Sequence, residues 1–255
     1  MKMKLTIVTP VYNDPRVSRA LDSILSQQYD GELELIVIDG GSDAPTLEVL
    51  ERYRKYITVL VSEPDEGIYD AMNKGIKLAT GEVVGILNAD DRYYDSSVLK
   101  NVAEAFEHFN IDASYGDLVY VNAQDQIVRY WKSGYYHPLK FYFGWMPPHP
   151  TFFVRRRLYE KYGTFDLSFP IAADYELMLR FILRHGIRLA YIPRVLVRMA
   201  VGGESNRSLR NIIRANQEVW MAWRKNGLRF GYLVPLLKPA QKIPQFIRRP
   251  PRDAS

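Results

Sequence analysis

Asn88-Ala89-Asp90-Asp91 follows directly on the apolar run Val83-Val84-Gly85-Ile86-Leu87. The run is short, rich in β-branched residues and entered through Thr80-Gly81, so it reads as a buried strand. Adjacent carboxylates at the end of a buried strand are costly unless a cation neutralises them. Open α/β sheets bind ligands beyond the carboxyl ends of their strands. A divalent cation holding a phosphorylated ligand meets both conditions, and Mg²⁺ or Mn²⁺ suits such hard oxygen ligands. A polar turn that caps the next helix would use the same residue types. Taken alone, the tetrapeptide is open between these two readings.

The elements that would position it repeat one theme through the first half. Leu5 to Val8 is an apolar strand running into Thr9-Pro10-Val11-Tyr12-Asn13. Asp14 reads as an N-cap with Pro15 at the first helical position, and Val17, Ala20, Leu21, Ile24 and Leu25 follow at helical spacing. A second strand, Leu33 to Ile38, ends in Asp39-Gly40-Gly41-Ser42. A helix around Leu47 to Tyr53 leads to a third strand, Ile57 to Val61, and then to Ser62-Glu63-Pro64-Asp65-Glu66-Gly67. The next helix, Ile68 to Ala79, places Ile68, Ala71, Met72, Gly75 and Ile76 on one side. Strands alternating with helices imply a parallel sheet with right-handed crossovers. Thr9–Asn13, Asp39–Ser42, Asp65–Gly67 and Asn88–Asp91 then converge on one sheet edge, which favours a ligand site over independent turns.

The second half is mixed. Ala113–Val121 and Gln126–Trp131 read as a hairpin, and the aromatic segment Tyr135–Trp145 runs into the proline-rich Met146-Pro147-Pro148-His149-Pro150. A short strand over Thr151–Val154 and a short helix over Leu158–Tyr162 are expected. Asp174–His185 has an amphipathic pattern with Leu177, Met178, Phe181 and Ile182 inward. Two strand-like runs, Ile187–Ile192 and Val195–Met199, precede a helix from about Ser208 to Lys225.

The chain has 255 residues, no cysteine and a net charge of +5. Without cysteine there are no disulfides or thiolate metal sites. No stretch approaches the roughly 20 apolar residues of a spanning helix, and no long apolar segment opens the chain, so a cytoplasmic protein is expected. Positive charge gathers late: from Arg207 to Arg252 only Glu218 and Asp253 oppose the arginines and lysines. Such a tail points to an anionic partner or to a solvated end. Nucleic acid would leave the acidic sheet edge unexplained, so no nucleic-acid partner is expected. Apolar residues around Tyr232–Leu237 among these cations would suit peripheral contact with the inner face of an anionic membrane.

These ordered motifs resemble the family-2 glycosyltransferases over about Leu5 to Arg198. The resemblance rests on Thr9-Pro10-Val11-Tyr12-Asn13, Asp39-Gly40-Gly41-Ser42, the stretch Asp65 to Gly75, Asn88 to Asp91 and Ala173-Asp174-Tyr175-Glu176-Leu177-Met178-Leu179-Arg180. It implies an α/β GT-A fold: a Rossmann-like, mostly parallel central sheet flanked by helices, with a small mixed acceptor-side subregion. One domain over residues 1–226 is expected, with a nucleotide-sugar half (1–112) and an acceptor half (113–226), then a basic, Pro-rich tail (227–255). The implied activity is inverting transfer of a single sugar from a nucleotide-diphospho-sugar, preferably a UDP-sugar, to a saccharide or lipid-linked acceptor in cell-surface polysaccharide or glycolipid assembly. The resemblance implies a nucleotide site of Thr9, Pro10, Tyr12, Asn13, Asp39, Gly40, Gly67, Lys74, Asn88 and Ala89, with Asp39 accepting the uracil imide N–H. It implies Mn²⁺ or Mg²⁺ on Asp90 and Asp91, Asp174 as general base, and His149 as a further metal or phosphate contact. Gly202-Gly203-Glu204-Ser205 would hinge a lid.

Two departures from the family pattern stand out. Asn88 replaces the first acid of Asp-x-Asp, and Ala173 replaces a glutamate that often precedes the base. The absence of a Gln-x-x-Arg-Trp motif argues against a processive synthase. A catalytically silent nucleotide-sugar-binding protein of the same fold is the alternative. Without Gly-x-Gly-x-x-Gly or a Walker-type lysine loop, dehydrogenase and nucleotidyltransferase readings are weaker.

Overall fold

The apolar runs of the first half become parallel strands joined through helices. A computed structural model of the chain describes residues 2–201 and 209–229, together with Gly231, Val234, Leu237, Gln245 and Pro250. Strands β1 (Leu5–Val11), β2 (Leu33–Asp39), β3 (Val59–Ser62) and β4 (Val83–Ile86) pair in the order β3-β2-β1-β4, all parallel. Their carboxyl ends therefore share one edge, as the motif order predicts. Successive residues of β1 serve opposite faces, as the strand period requires. Val8 joins the core with Ile36, Ile38 and Ile86, while Ile7 joins the other with Leu35, Val37 and Val83.

Helix α1 (Val17–Leu25) buries Val17, Ala20, Leu21 and Ile24, and α2 spans Ala44–Tyr53. The first helix starts at Val17 rather than Pro15, because Asp14 and Pro15 are spent on a turn. There Asp14 Oδ1 accepts the Arg16 N–H (3.0 Å) and Asp14 O accepts that of Val17 (3.2 Å). Helix α3 (Ile68–Leu78) buries Ala71, Met72, Gly75 and Ile76, whereas Ile68, its first residue, is exposed. Gly75 lets α3 close on β1: a Cβ there would lie 2.2 Å from Val8 Cγ1. Gly75→Ala is expected to cost about 1–3 kcal/mol by overpacking, read from urea unfolding. An unchanged midpoint would mean that α3 can lift off the sheet freely.

The sheet continues through short and antiparallel strands. After β5 (Arg92–Tyr93) and α4 (Val98–His108) come β6 (Ala113–Val121), β7 (Ile127–Trp131), α5 (Pro138–Tyr142), β8 (Phe153–Arg155), α6 (Arg156–Tyr162), α7 (Ala173–Met178), β9 (Leu189–Ala200) and α8 (Leu209–Lys225). The full order is β3-β2-β1-β4-β8-β6-β9-β5, with β7 on β6. β8 runs antiparallel to both β4 and β6, which makes this half mixed. The two runs expected around Ile187–Met199 are one strand: register shifts in its pairing with β6 between Tyr115 and Leu118 accommodate Pro193 and Arg194. His149–Thr151 forms a 3₁₀ turn, so β8 begins at Phe153 instead of Thr151. The helix around Asp174 begins at Ala173 and widens into a π-helix over Leu179–Arg184, with Leu177, Met178, Phe181 and Ile182 buried as expected.

The proposed lid Gly202–Ser205 lies outside the described residues, as does most of the tail. Where the tail is described it touches the domain. Val234 is fully buried, and Gln245 Oε1 accepts from Arg129 Nε at 2.8 Å. Among the described residues no helix is long and apolar enough to cross a membrane.

Candidate active site

The ends of β1 and β2 are sewn together by polar contacts. Asn13, in the left-handed region at φ 48°, accepts the Asp43 N–H on its side-chain oxygen (2.8 Å) and donates its own N–H to Ser42 Oγ (2.8 Å). Asp39 is fully buried. Its carboxylate accepts the Ser42 N–H (3.2 Å to each oxygen) and the Ser62 hydroxyl (2.5 Å), so it organises this turn. Gly40 packs against Asp65. Pro10 is buried beside Tyr12, which is 64% exposed at the mouth of this edge. Gly67 starts α3 at φ 112°, a conformation that favours glycine. Lys74 is not a free cation: it pairs with Glu63 (2.9 Å) and Asp70 (3.5 Å) and donates to Pro64 O (3.2 Å), bracing the β3–α3 turn.

At the end of β4 the polar groups are less satisfied. Thr9 Oγ1, Asn88 Oδ1 and Asp91 Oδ1 are buried with no hydrogen-bond partner among the described residues. Asn88 Nδ2 donates to the other Asp91 oxygen at 3.3 Å, and Ala89 packs into the core. Burial, then the neighbouring Asp90, push the Asp91 carboxyl well above the usual carboxylate range. Burial also raises Asp90; Arg16 opposes that shift and Asp14 adds to it. Arg16 grips both Asp14 oxygens (2.8 and 2.6 Å) and stands 3.8 Å from Asp90 Oδ2, tying the opening loop to the acidic one. Its role is invisible in the sequence, where it reads as a solvated cation in a first turn.

The acceptor side meets this edge through Asp174. Tyr69 of α3 places its hydroxyl 3.0 Å from Ile171 O and 3.2 Å from Asp174 Oδ1, and the Tyr175 N–H donates to the same carboxylate oxygen at 2.8 Å. Among the described residues only Oδ1 of Asp174 has hydrogen-bond partners. The Tyr175 contact satisfies one first-turn amide of α7, in which Asp174 is the second residue. The amides of Ile171 and Ala172, ahead of α7, donate instead to Glu218 of α8 (2.9 and 2.8 Å). Asn73, one turn beyond Tyr69, clasps Phe165 by paired 2.8 Å hydrogen bonds. The four-residue spacing of Tyr69 and Asn73 on α3 thus holds the two halves of the chain together. Arg180 pairs with Glu176 at 3.0 Å, a structural role.

His149 packs edge-on to Phe165 with its ring centroid 5.5 Å away. Burial lowers its pKa against the nearby Asp174, so the ring is neutral at pH 7. Tyr120 of β6 was not anticipated. Its phenol is raised in pKa by burial and is held within electrostatic reach of Arg129, Asp91 and Asp174. A tyrosine on an alternating strand gives no sign in sequence of which face it takes.

Tyr69→Phe is expected to lower kcat about 5- to 10-fold, the worth of one neutral hydrogen bond, with little change in donor KM. The Tyr69–Phe165 stacking (5.4 Å) is kept, so thermal unfolding should hardly move. A matching loss of stability would make the contact merely structural.

A model of "Glycosyl transferase family 2" matches residues 6–173. The chain belongs to glycosyltransferase family 2. This family member is 29% identical over 206 residues to a "PGL/p-HBAD biosynthesis glycosyltransferase" of Mycobacterium tuberculosis, covering 79% of this chain and 78% of that one. It is 34% identical over 181 residues to an uncharacterised glycosyltransferase of the same species, covering 69% and 68%. Among solved structures, S. aureus TarS 1–349 in complex with UDP-GlcNAc superposes with a TM-score of 0.68 at 17% identity, covering 88% of this chain and 66% of that one. The mannosyltransferase PcManGT from Pyrobaculum calidifontis, in complex with GDP-Man and Mn²⁺, gives 0.68 at 22% identity, covering 94% and 71%. At these identities the likeness shows the fold, which is GT-A.

The donor set was tested against a divalent ion. Asn88 Oδ1 and Asp91 Oδ1 are buried acceptors without donors, and Asp90 stands beside them, 35% exposed. Hard oxygen ligands of this kind fit Mn²⁺ or Mg²⁺. Among the described residues no group of three His, Cys, Asp or Glu side chains would hold an ion unaided. An ion held there would need a ligand's phosphates to complete its shell.

Proposed function

We propose that this protein is an inverting, metal-dependent glycosyltransferase that moves one hexosyl or N-acetylhexosaminyl unit from a nucleotide-diphospho-sugar, preferably a UDP-sugar, to an acceptor hydroxyl. The observation that carries the reading is the pair of buried Asn88 and Asp91 oxygens at the end of β4 that have no partner among the described residues, on the sheet edge from which Tyr69 of α3 reaches Asp174. The nucleotide-sugars bound by TarS and PcManGT support such a donor, and the Mn²⁺ of the latter supports the cation. The relative named for PGL/p-HBAD biosynthesis supports a role in glycolipid or polysaccharide assembly.

In this mechanism Thr9 to Asn13, Asp39 and Gly40 shape the nucleoside end of the site. Asn88 meets the ribose, and Gly67 opens the approach to the diphosphate. Asp90, with Asp91 behind it, would hold the ion, and neutral His149 adds a phosphate or metal contact. When bound, the ion supplies charge that stabilises the leaving diphosphate. Asp174 Oδ1 is fixed by Tyr69 and the Tyr175 amide, so Oδ2 is the basic lone pair that takes the acceptor's proton. A carboxylate with an ordinary pKa of about 3.9 is a weak base toward an alcohol. It works once bond cleavage at the sugar is advanced and the attacking hydroxyl has become acidic. Attack from Asp174's side, opposite the diphosphate, inverts the anomeric centre.

The test is calorimetric binding of UDP, GDP, dTDP and CMP, each with and without Mn²⁺. Tight binding of UDP that needs Mn²⁺ is expected. Equal binding with and without the ion would remove Asp90 and Asp91 from the metal role. Binding without any turnover of UDP-sugars would favour the silent binding protein.

A further inference from the structure

Helix α8 has two apolar faces, and only one is used by the fold. Val219, Ala222 and Trp223 are buried in the core, beside Glu218 on the amides of Ile171 and Ala172. On the outside, Ile213 is 60% exposed, Trp220 40% and Met221 47%. Steps of three and four place Arg210, Arg214, Gln217 and Arg224 on this same outer face, all exposed. No acid shares it. Arg214 reaches over to buried Glu218 (3.2 Å), while Arg224 lies over the Trp220 ring at 4.9 Å. Among the described residues neither Arg210 nor Arg224 makes an ion pair.

A helix face meant only for water has no use for Trp, Met and Ile in register, although single exposed apolar residues are common. Arginine stems beside an exposed tryptophan are the composition of a helix lying at a lipid–water boundary. Short helix α5 packs on the opposite, buried face of α8, where Tyr142 meets Trp223 with ring centroids 4.9 Å apart, and so is not part of this outer surface. The charge is of one sign, so the complementary partner is anionic.

We propose that the outer face of α8 rests on an anionic lipid bilayer. This moves the membrane contact expected of the C-terminal tail onto a helix of the domain. The consequence for the site is direct, because Glu218 of the same helix holds the backbone that leads into Asp174. A bilayer under α8 would bring a lipid-carried acceptor to the base side of the site. That consequence rests on the transferase reading; the bilayer contact does not.

The full chain should co-sediment with phosphatidylcholine vesicles containing phosphatidylglycerol, but not with phosphatidylcholine alone, and should be released by salt. Arg210→Glu/Arg224→Glu and Ile213→Ser/Trp220→Ser should each lower vesicle binding at least about tenfold. Calorimetric UDP binding in the same proteins reports separately on the fold and on the transferase reading. If the apolar variant unfolds, Arg210→Gln/Arg224→Gln keeps every apolar contact and tests the charge alone. Absence of binding by the wild type overturns the proposal. So does full binding by the charge variants, which would assign the contact elsewhere in the chain. A wild-type dimer that Ile213→Ser/Trp220→Ser converts to monomer also overturns it, the face then being covered by a second copy.

Discussion

Asp174→Asn is expected to lower kcat by about 10²- to 10⁴-fold, the usual worth of a positioned general base. The amide is nearly isosteric. Its oxygen can keep the Tyr69 and Tyr175 N–H contacts made by Oδ1, so the loop from Ile171 to Tyr175 has no reason to move. What changes is the other position: an amide nitrogen stands where Oδ2 would take the acceptor's proton. Donor binding is made by residues of the first half and should be unchanged by calorimetry. Thermal unfolding should also be unchanged, because Glu218 and not Asp174 satisfies the amides ahead of α7. Full turnover by a correctly folded Asn variant would end the base assignment. A wild type equally inactive on every nucleotide-sugar tried would instead point to the silent reading.

Much of the nucleotide half could be read from the chain because parallel strands buried on both faces are short apolar runs with their polar residues gathered at the ends. Thr9–Asn13, Asp39–Gly40 and Asn88–Asp91 are legible for that reason: position in the run fixes position in the sheet. The second half is less legible. β5 has two residues and no pattern of its own, and it exists only because β9 offers it an edge. Helix α4 does carry a helical apolar pattern (Val98, Leu99, Val102, Phe106), and attention to the acidic loop just before it hides that signal. Asp174 was ambiguous because cap and base are written with the same residue. Glu218, which stands 44 residues later, takes the amides of Ile171 and Ala172 ahead of α7, and Asp174 takes that of Tyr175, a division of work that no local spacing encodes. Arg16 and Tyr69 likewise matter through long-range contacts, to Asp90 and Asp174.

Asp91→Asn carries the second large effect, and it has two opposite signs. Asp91 is fully buried, Asn88 and the Ala200 backbone N–H favour its charged form, and Oδ1 has no hydrogen-bond partner among the described residues. Burial and Asp90 raise its pKa in the folded chain, while the unfolded chain titrates it at about 3.9. Between those two values the folded state holds the extra proton, so stability falls as pH rises through that window and the loss is complete above it. Asparagine cannot ionise. The ion-free variant should therefore be more stable than the ion-free wild type at pH 7, by about 1–3 kcal/mol, the cost of an unsatisfied buried group. The difference should vanish below pH 4, where the wild-type carboxyl is protonated in both states. With Mn²⁺ and UDP the order should reverse: the wild type gains thermal stability by linkage and the variant gains much less. Turnover should fall about 10²- to 10³-fold, the scale of one lost electrostatic contact to a developing charge. An Asn variant that melts lower than the wild type without any ion would make Asp91 a structural hydrogen-bonding residue. The stability given up at Asp91 would then have no functional return, and the ion would have to be held by Asp90 alone.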